Sequence, residues 1–172
     1  MEVENLTDKT KNKNWYAIYT RPRAEKAIYK ALVESGIETF LPLQKTLRQW
    51  SDRKKIVEVP LFSSYVFVFV GKKEYHLPLK VHGVVKYVGF EGKAVRIPQQ
   101  QIDNLHLIIN SNADVEKSDL HFIEGQKVEV IMGSLKGLKG ELVKYNQRNR
   151  VLVRIDHLDQ NLLVNIPKNY LQ

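Results

Sequence analysis

The run Tyr65-Val-Phe-Val-Phe-Val70 limits the fold of this chain more than any other feature of its sequence. Aromatic and β-branched residues in succession, with no polar residue between them, are typical of a β-strand that is buried on both faces. A membrane-spanning helix needs about 20 apolar residues in succession, so this short run does not predict one. We therefore expect a central strand in a sheet that is covered on both sides.

Two helices are predicted beside this strand. Over residues 22–35 apolar residues recur at helical spacing, with Thr20 as the predicted N-cap and Gly36 as the residue that ends the helix. A second helix begins after Pro98, and its predicted buried face consists of Ile102, Leu105 and Ile109. Further strands are predicted at residues 15–20, 39–43, 45–50 and 56–59, with a hairpin at 84–88 and 94–97 that turns at Glu91-Gly92. Strands flanked by helices, without strict alternation, indicate an α+β fold.

The last third of the chain is predicted to be a separate small module. Residues 110–121 are polar and show no periodicity, which is typical of a linker. Short strands follow at residues 127–131, 138–145, 151–156 and 162–166. Closely spaced strands of this kind predict a small β-barrel, because closure leaves no exposed edge. Residues 1–13, polar and without pattern, are predicted to be a disordered tail.

The chain of 172 residues carries a net charge of +8, most of it in the first part. Residues 1–110 contain 18 Lys and Arg against 11 Asp and Glu, whereas residues 111–172 contain 9 against 8. A basic module favours a polyanionic partner such as nucleic acid, although a charge excess can also serve solubility alone. No basic segment followed by an apolar core opens the chain, so we expect a cytoplasmic protein with neither a secretory signal nor a membrane partner.

No arrangement of residues that would support catalysis is visible. The chain has no cysteine, which excludes disulfides and thiolate chemistry. Its five histidines lack metal-ligand spacing, and its acidic residues are scattered over separate elements. The glycines of residues 133–140 match neither common phosphate-loop pattern and are predicted to serve turns. We therefore predict no enzyme, no catalytic residue, no metal site and no cofactor.

Two groups of side chains remain as candidates for binding. The aromatic group consists of Trp15, Tyr16, Tyr19, Phe62, Tyr65, Phe67 and Phe69. Alternation along a strand divides this group between two faces, so that one face is core and the other is either core as well or partly exposed to a protein partner. The cationic group lies at the ends of elements and consists of Arg21, Arg23, Lys26, residues 53–55, Lys72 and Lys73. Tyr75 and His76 could stack on bases beside it, which favours nucleic acid over solvated surface charge.

Several stretches resemble the NusG family. The first strand with Arg21-Pro-Arg-Ala-Glu25, the segment Leu61-Phe-Ser-Ser-Tyr-Val-Phe-Val68 and Gly83-Val-Val-Lys-Tyr-Val-Gly89 are similar to the NusG N-terminal (NGN) domain. Gly125-Gln-Lys-Val-Glu-Val130 with residues 133–140 is similar to a KOW module. Residues 40–45 and 48–54 most resemble the UpxY paralogues, which govern surface-polysaccharide operons in Bacteroides-type bacteria. One departure is Ser63-Ser64, where many relatives have Pro-Gly or Pro-Asn.

The resemblance implies an NGN-type antiparallel sheet flanked by helices over residues 14–110, a linker over 111–123 and an SH3-like KOW β-barrel over 124–172. It implies a monomeric transcription antitermination and elongation factor that suppresses pausing and termination. RNA polymerase would be bound at its clamp region by Tyr19, Phe62, Tyr65 and Phe67. Non-template single-stranded DNA would be contacted by Arg21, Arg23, Lys26, Lys72, Lys73, Tyr75 and His76. The KOW module would bind a ribosomal protein or a termination factor.

Two other classes of protein share part of this pattern. A ribosome-associated RNA-binding protein with a KOW module would also be basic, but it would not need the aromatic face of an NGN domain. A nucleic-acid-processing enzyme would need clustered carboxylates for divalent metal ions, which the sequence does not predict. Copurification with RNA polymerase rather than with ribosomal subunits distinguishes the first class from an elongation factor.

Overall fold

The computed structural model describes residues 12–49, 53–111, 113, 115–118, 125–145, 148–155, 158 and 161–172. The helices and strands of these residues are, in chain order, β1 (Lys13–Thr20), α1 (Glu25–Glu34), β2 (Glu38–Phe40), β3 (Leu43–Gln49), β4 (Lys54–Pro60), β5 (Tyr65–Gly71), β6 (Val84–Tyr87), β7 (Gly89–Phe90), β8 (Lys93–Ala94), β9 (Arg96–Ile97), α2 (Gln99–Ser111), β10 (Val115–Ser118), β11 (Gln126–Glu129), β12 (Lys139–Tyr145), β13 (Arg148–Arg154) and β14 (Asn161–Val164). Short 3₁₀ helices lie at Pro78–Lys80 and Lys168–Tyr170. The mixed α+β class predicted from the sequence is confirmed.

The described residues divide into two compact units. The first unit contains the described residues up to Leu41 together with Phe62–Ile97, and the second contains Pro42–Leu61 together with Pro98–Gln172. The units are therefore not continuous in sequence, because hairpin β3–β4 and helix α2 belong to the second. The domain limits expected from the sequence, 14–110 and 124–172, stay a prediction.

A five-stranded antiparallel sheet forms the centre of the first unit. Its strands follow the order β2-β5-β1-β6, and β9 pairs with β1 as well. Strand β5 thus lies inside the sheet, and Val66, Phe67 and Val68 are buried on it. This confirms the predicted central strand: an uninterrupted apolar run suits a position that is covered on both faces.

Helix α1 ends as the sequence predicts but begins differently. Gly36 adopts a φ of 74° after the C-cap Ser35. The Gly36 N–H donates to the Val33 carbonyl at 2.9 Å and the Ile37 N–H donates to Leu32 at 3.0 Å, which is a Schellman motif. The predicted N-cap Thr20 is wrong: it is the buried last residue of β1, and the helix begins after Ala24. A turn at residues 21–24 separates the two elements, which local spacing could not reveal.

The second unit contains an open sheet rather than the predicted closed barrel. Its five antiparallel strands follow the order β10-β14-β13-β12-β11, and among the described residues no pairing joins the two outer strands. The last residues of the chain run along β11 instead, with the Gln172 N–H donating to the Glu129 carbonyl at 3.0 Å. Outer strand β10 lies within the stretch expected to be a linker, where its ends Val115 and Ser118 are buried.

Other local predictions were partly right. The turn at Glu91-Gly92 is present, with φ values of 49° and 78°, but it joins β7 and β8, whereas β6 and β9 both pair with β1. On α2 the third buried apolar residue is Ile108 rather than Ile109. Lys13, expected in the tail, begins β1. The rest of the tail up to residue 11 and residues 50–52 of the hairpin tip lie outside the described residues. So do residues 112, 114 and 119–123 of the predicted linker and residue 124, the first of the predicted KOW module.

Candidate functional site

A buried carboxylate holds the turn that leads into β5. Ser64 has a φ of 67° and is therefore in the left-handed region. Its N–H donates to Oε1 of Glu25 at 2.7 Å, and its carbonyl accepts from the Thr20 N–H at 2.8 Å. Because Glu25 lies in the first turn of α1, the helix N-terminus favours its charge. The turn is thus tied to both β1 and α1.

These hydrogen bonds fix the position of a pair of half-buried tyrosines. Tyr19 and Tyr65 face each other across β1 and β5, with ring centroids 5.5 Å apart and an angle of 64° between the rings. Both side chains are half-buried. Residues directly opposite in an antiparallel pair share a face, so the two rings present one patch of aromatic surface. We call this patch the tyrosine pair.

Two phenylalanines of the predicted polymerase-binding set lie inside the unit. Phe67 is 0% exposed and Phe62 1%, and their ring centroids are 6.1 Å apart. Phe67 projects from the same face of β5 as Tyr65, because residues two apart on a strand point the same way. All four predicted residues thus belong to one face of the sheet. Of the four, only the two residues of the tyrosine pair are accessible enough to contact a partner directly. Phe62 and Phe67 can act as its support.

The predicted nucleic-acid residues fall into two groups. Arg21, Arg23 and Lys26 are exposed at the start of α1, next to the end of β1. Their backbone is anchored by the Arg21 N–H, which donates to the Gly83 carbonyl at 2.9 Å. This group adjoins the tyrosine pair, because Tyr19 is two residues before Arg21.

The second group lies at the opposite end of the sheet. Lys72, Lys73 and His76 are exposed in the segment after β5, whose last residue Gly71 pairs with Lys13 at the start of β1. With a rise of about 3.3 Å per residue, the length of β1 separates the two groups by roughly 25 Å. The structure therefore does not bring the seven predicted residues into one compact site.

Tyr75 differs from its exposed neighbours. Its ring stacks on Tyr87, with centroids 4.3 Å apart and an angle of 8°, and the edge of Tyr16 meets both rings at 5.6 and 5.7 Å. Burial raises the pKa of Tyr75, and the nearby Tyr16 adds to this rise, while the Ala94 backbone opposes it. One ring face is thus already covered by protein. Sequence reasoning missed Tyr87 as a member of this group; the pairing of β6 with β1 brings it there, and no local pattern signals that.

The described residues contain no gathering of three or more His, Cys, Asp or Glu side chains that could hold a metal ion. His121, His157, Asp52 and Asp156 lie outside them. None of the described helices is both long and apolar enough to span a membrane.

Comparison with known structures identifies the type of architecture. The chain is similar to a solved structure of NusG from Thermotoga maritima that concerns its domain interaction, with a TM-score of 0.53 and 19% identity, covering 94% of this chain and 97% of that one. The protein therefore has a NusG-like α+β fold.

Sequence comparison establishes the family. The family model for transcription termination factor nusG matches residues 13–106, more than half of the chain, and the chain belongs to the NusG family. Curated relatives include the transcription termination/antitermination proteins NusG of Rickettsia typhi and Rickettsia prowazekii. Each is 22% identical over 167 residues, covering 89% of this chain and 87% of the relative.

Proposed function

We propose that this protein is a transcription elongation and antitermination factor that binds the clamp region of RNA polymerase through the tyrosine pair and acts in the cytoplasm without catalysing a reaction. The observation that carries the proposal is this tyrosine pair. Its two aromatic rings are half-buried and pack edge to face on the sheet of a protein that belongs to the NusG family. Tyrosine is among the residues enriched at the energetic centres of protein interfaces, since it buries a large area and loses few rotamers.

The buried aromatic layer prepares this surface for binding. Phe67 packs against both Phe62 and Phe40, with centroid distances of 6.1 Å in each case. Two strands and a backbone hydrogen bond from Thr20 to Ser64 hold the tyrosines above this layer. A surface that is rigid before binding loses little conformational entropy on association, which increases affinity.

Binding alone is sufficient for the proposed activity. A factor that binds the closed form of the polymerase clamp more tightly than the open form shifts the population toward the closed form. A tenfold preference corresponds to about 1.4 kcal/mol, which is within reach of two aromatic contacts. A paused or terminating enzyme that must open its clamp would then be disfavoured without any chemical step.

We propose that Arg21, Arg23 and Lys26 contact the non-template DNA strand beside the polymerase. They are exposed and adjoin the tyrosine pair, so a strand passing that surface would meet their charges. The DNA strand would reach the opposite end of the sheet only if it extends along the full length of β1. There it would meet Lys72, Lys73, Tyr75 and His76. Arg21→Glu with Arg23→Glu is expected to reduce antitermination most at low salt, where phosphate contacts are strongest. Read-through equal to wild type at every salt concentration would contradict this assignment.

We further propose that residues 124–172, which lie in the second unit, form a KOW module that recruits a ribosomal protein or a termination factor. Its support is the tight connection between β11 and β12, where Gly133 and Gly137 have φ values of 81° and 91° and the Gly137 N–H donates to Val130 at 2.7 Å. The resemblance of residues 40–45 and 48–54 to the UpxY paralogues supports action on surface-polysaccharide operons. Read-through on a template with such an operon leader, compared with an unrelated leader, tests that role.

Binding to purified RNA polymerase tests the main proposal. The variant Tyr19→Ala with Tyr65→Ala is expected to bind at least 10-fold more weakly than wild type. Tyr29→Ala is the matched control, because Tyr29 is an exposed tyrosine on α1 of the same unit. Urea titration checks that every variant is folded. A folded double variant that binds polymerase like wild type refutes the proposal, and retention on ribosomal subunits instead would favour the ribosome-associated alternative.

A further inference from the structure

A cleft of about 620 Å³ opens in the first unit where β1 begins. The side chains that give it its chemical character are Lys13, Tyr16, Lys72, Tyr75, Lys93 and Arg96. Four of these are cationic and two are aromatic, and the described lining contains no carboxylate. The cleft therefore combines positive charge with flat apolar surface.

Most of the positive charge in this cleft is not neutralised by the protein. Lys13 is paired, since its Nζ lies 2.8 Å from Oε2 of Glu74, and its hydrogen bond lowers the pKa of that carboxyl. Lys72, Lys93 and Arg96 are exposed, and no ion pair within the described part of the chain neutralises them. Three like charges around one cleft repel each other, and a bound anion would relieve that repulsion.

The tyrosines form a rigid wall beside these cations. Tyr75 stacks on Tyr87, and the Oη of Tyr87 donates to the Tyr75 carbonyl at 2.7 Å. Tyr16 packs edge-on against both rings and is held by its strand pairing with Arg96. A fixed aromatic wall next to exposed cationic side chains suits a ligand that has a ring at one end and negative charge at the other.

The cleft is separate from the proposed polymerase surface. Tyr16 and Tyr19 are three residues apart on β1, so they project from opposite faces of the sheet. Arg96 lies directly opposite Tyr16 and shares its face, whereas Tyr65 lies opposite Tyr19 on the other. A ligand in the cleft would therefore leave the tyrosine pair accessible.

We propose that this cleft binds nucleoside phosphates, with Lys72, Lys93 and Arg96 contacting the phosphate groups and the tyrosine wall contacting the base or sugar. The same chemistry is offered by a free nucleoside triphosphate and by the nucleotides of a single strand. The two sources differ in their dependence on chain length, which an experiment can measure. Lys72 and Tyr75 are also among the residues proposed above to meet the DNA strand, so the cleft deepens that part of the proposed function, but it does not depend on polymerase binding.

The test uses the full-length protein with two probes, ATP and a fluorescein-labelled uridine dodecamer, over a range of salt concentrations. Lys93→Ala with Arg96→Ala removes two exposed cations of the cleft. If each cation contacts one phosphate of the dodecamer, the slope of log K against log salt becomes less steep by about 1.4 in the variant. The loss of affinity relative to wild type is then about 25-fold greater at 0.1 M salt than at 1 M salt. Lys30→Ala with Lys144→Ala removes two exposed lysines outside the cleft and is the matched control.

Each outcome decides the proposal. Loss of affinity in the cleft variant but not in the control supports it, and binding of ATP as well as the dodecamer identifies a nucleotide pocket rather than a strand site. Equal losses in both variants would show that net charge, not the cleft, attracts the probe. Absence of binding by both probes, or binding that the cleft variant leaves unchanged, would overturn the assignment.

Discussion

Replacing Glu25 tests how the protein holds the tyrosine pair in place. Glu25 is 5% exposed, and its carboxylate accepts the Ser64 N–H at 2.7 Å. A hydrogen bond to a charged group contributes about 1.5–3 kcal/mol, and an acidic residue in the first turn of a helix adds about 0.3–1 kcal/mol. Glu25→Ala is therefore expected to lower the free energy of unfolding by about 2–4 kcal/mol. Glu25→Gln keeps a carbonyl oxygen that can accept the Ser64 N–H. It should lower the free energy of unfolding by about 1 kcal/mol, mainly because the hydrogen bond no longer involves a charged acceptor.

Urea titration at neutral pH gives these free energies, provided that the m-value is unchanged. Glu34→Ala is the control, since Glu34 is exposed at the other end of the same helix and its ion pair with Lys30, at 3.8 Å, lies on the surface. That substitution should cost less than about 0.5 kcal/mol. Polymerase binding by Glu25→Gln, measured on folded protein, should also weaken, because the turn that places Tyr65 opposite Tyr19 loses part of its support.

Equal costs for Glu25→Ala and Glu34→Ala would refute this reasoning, because the buried carboxylate would then contribute no more than a solvated one. A large loss of stability with unchanged polymerase affinity for Glu25→Gln would refute the second part alone. The turn would then stabilise the fold without setting the geometry of the tyrosine pair.

Three further predictions concern stability. Phe67→Ala should lower the free energy of unfolding by about 3–5 kcal/mol, because it leaves a cavity in a fully buried layer; urea titration measures this. Gly36→Ala should cost about 1 kcal/mol in the same assay, since no atom lies within 4 Å of the added Cβ and the φ of 74° alone is unfavourable. For Glu141, burial raises the pKa, but hydrogen bonds from Arg154 and Gly125 outweigh it and leave the pKa below its ordinary 4.5. Its stabilisation is therefore present above pH 4.5 and lost as pH falls through the lower folded value, so the stability difference between wild type and Glu141→Gln should shrink on acidification.

Features that depend on short stretches of sequence could be predicted. The apolar run gave strand β5 its central position because no polar side chain interrupts it. Gly36 ended α1 because a left-handed residue allows the last carbonyls to be satisfied. The Glu91-Gly92 turn formed where two residues with positive φ join adjacent strands. In each case the physical cause lies within a few residues of the element.

Features that depend on pairing between distant residues could not. Strand β10 has a polar sequence without alternation, and it exists because β14 supplies a partner along its whole length. The predicted barrel likewise required the outer strands to meet, and the C-terminal residues pair with β11 instead. Nothing in the strand sequences themselves encodes which edge will be covered, since backbone groups of any residue can form the bonds.

The register between β1 and β5 decides how the candidate site must be understood. Sequence reasoning treated the cations as one group, but antiparallel pairing places Lys13 beside Gly71 and Tyr19 beside Tyr65, so the cations around them separate to opposite ends of the sheet. Strand alternation then separates the aromatic residues as well, with Tyr19 on one face and Tyr16 on the other. One end and face combine the tyrosine pair with Arg21 and its neighbours. The other combines a tyrosine wall with Lys72, Lys93 and Arg96, which no ion pair among the described residues neutralises. The same sheet therefore offers two candidate binding surfaces rather than one.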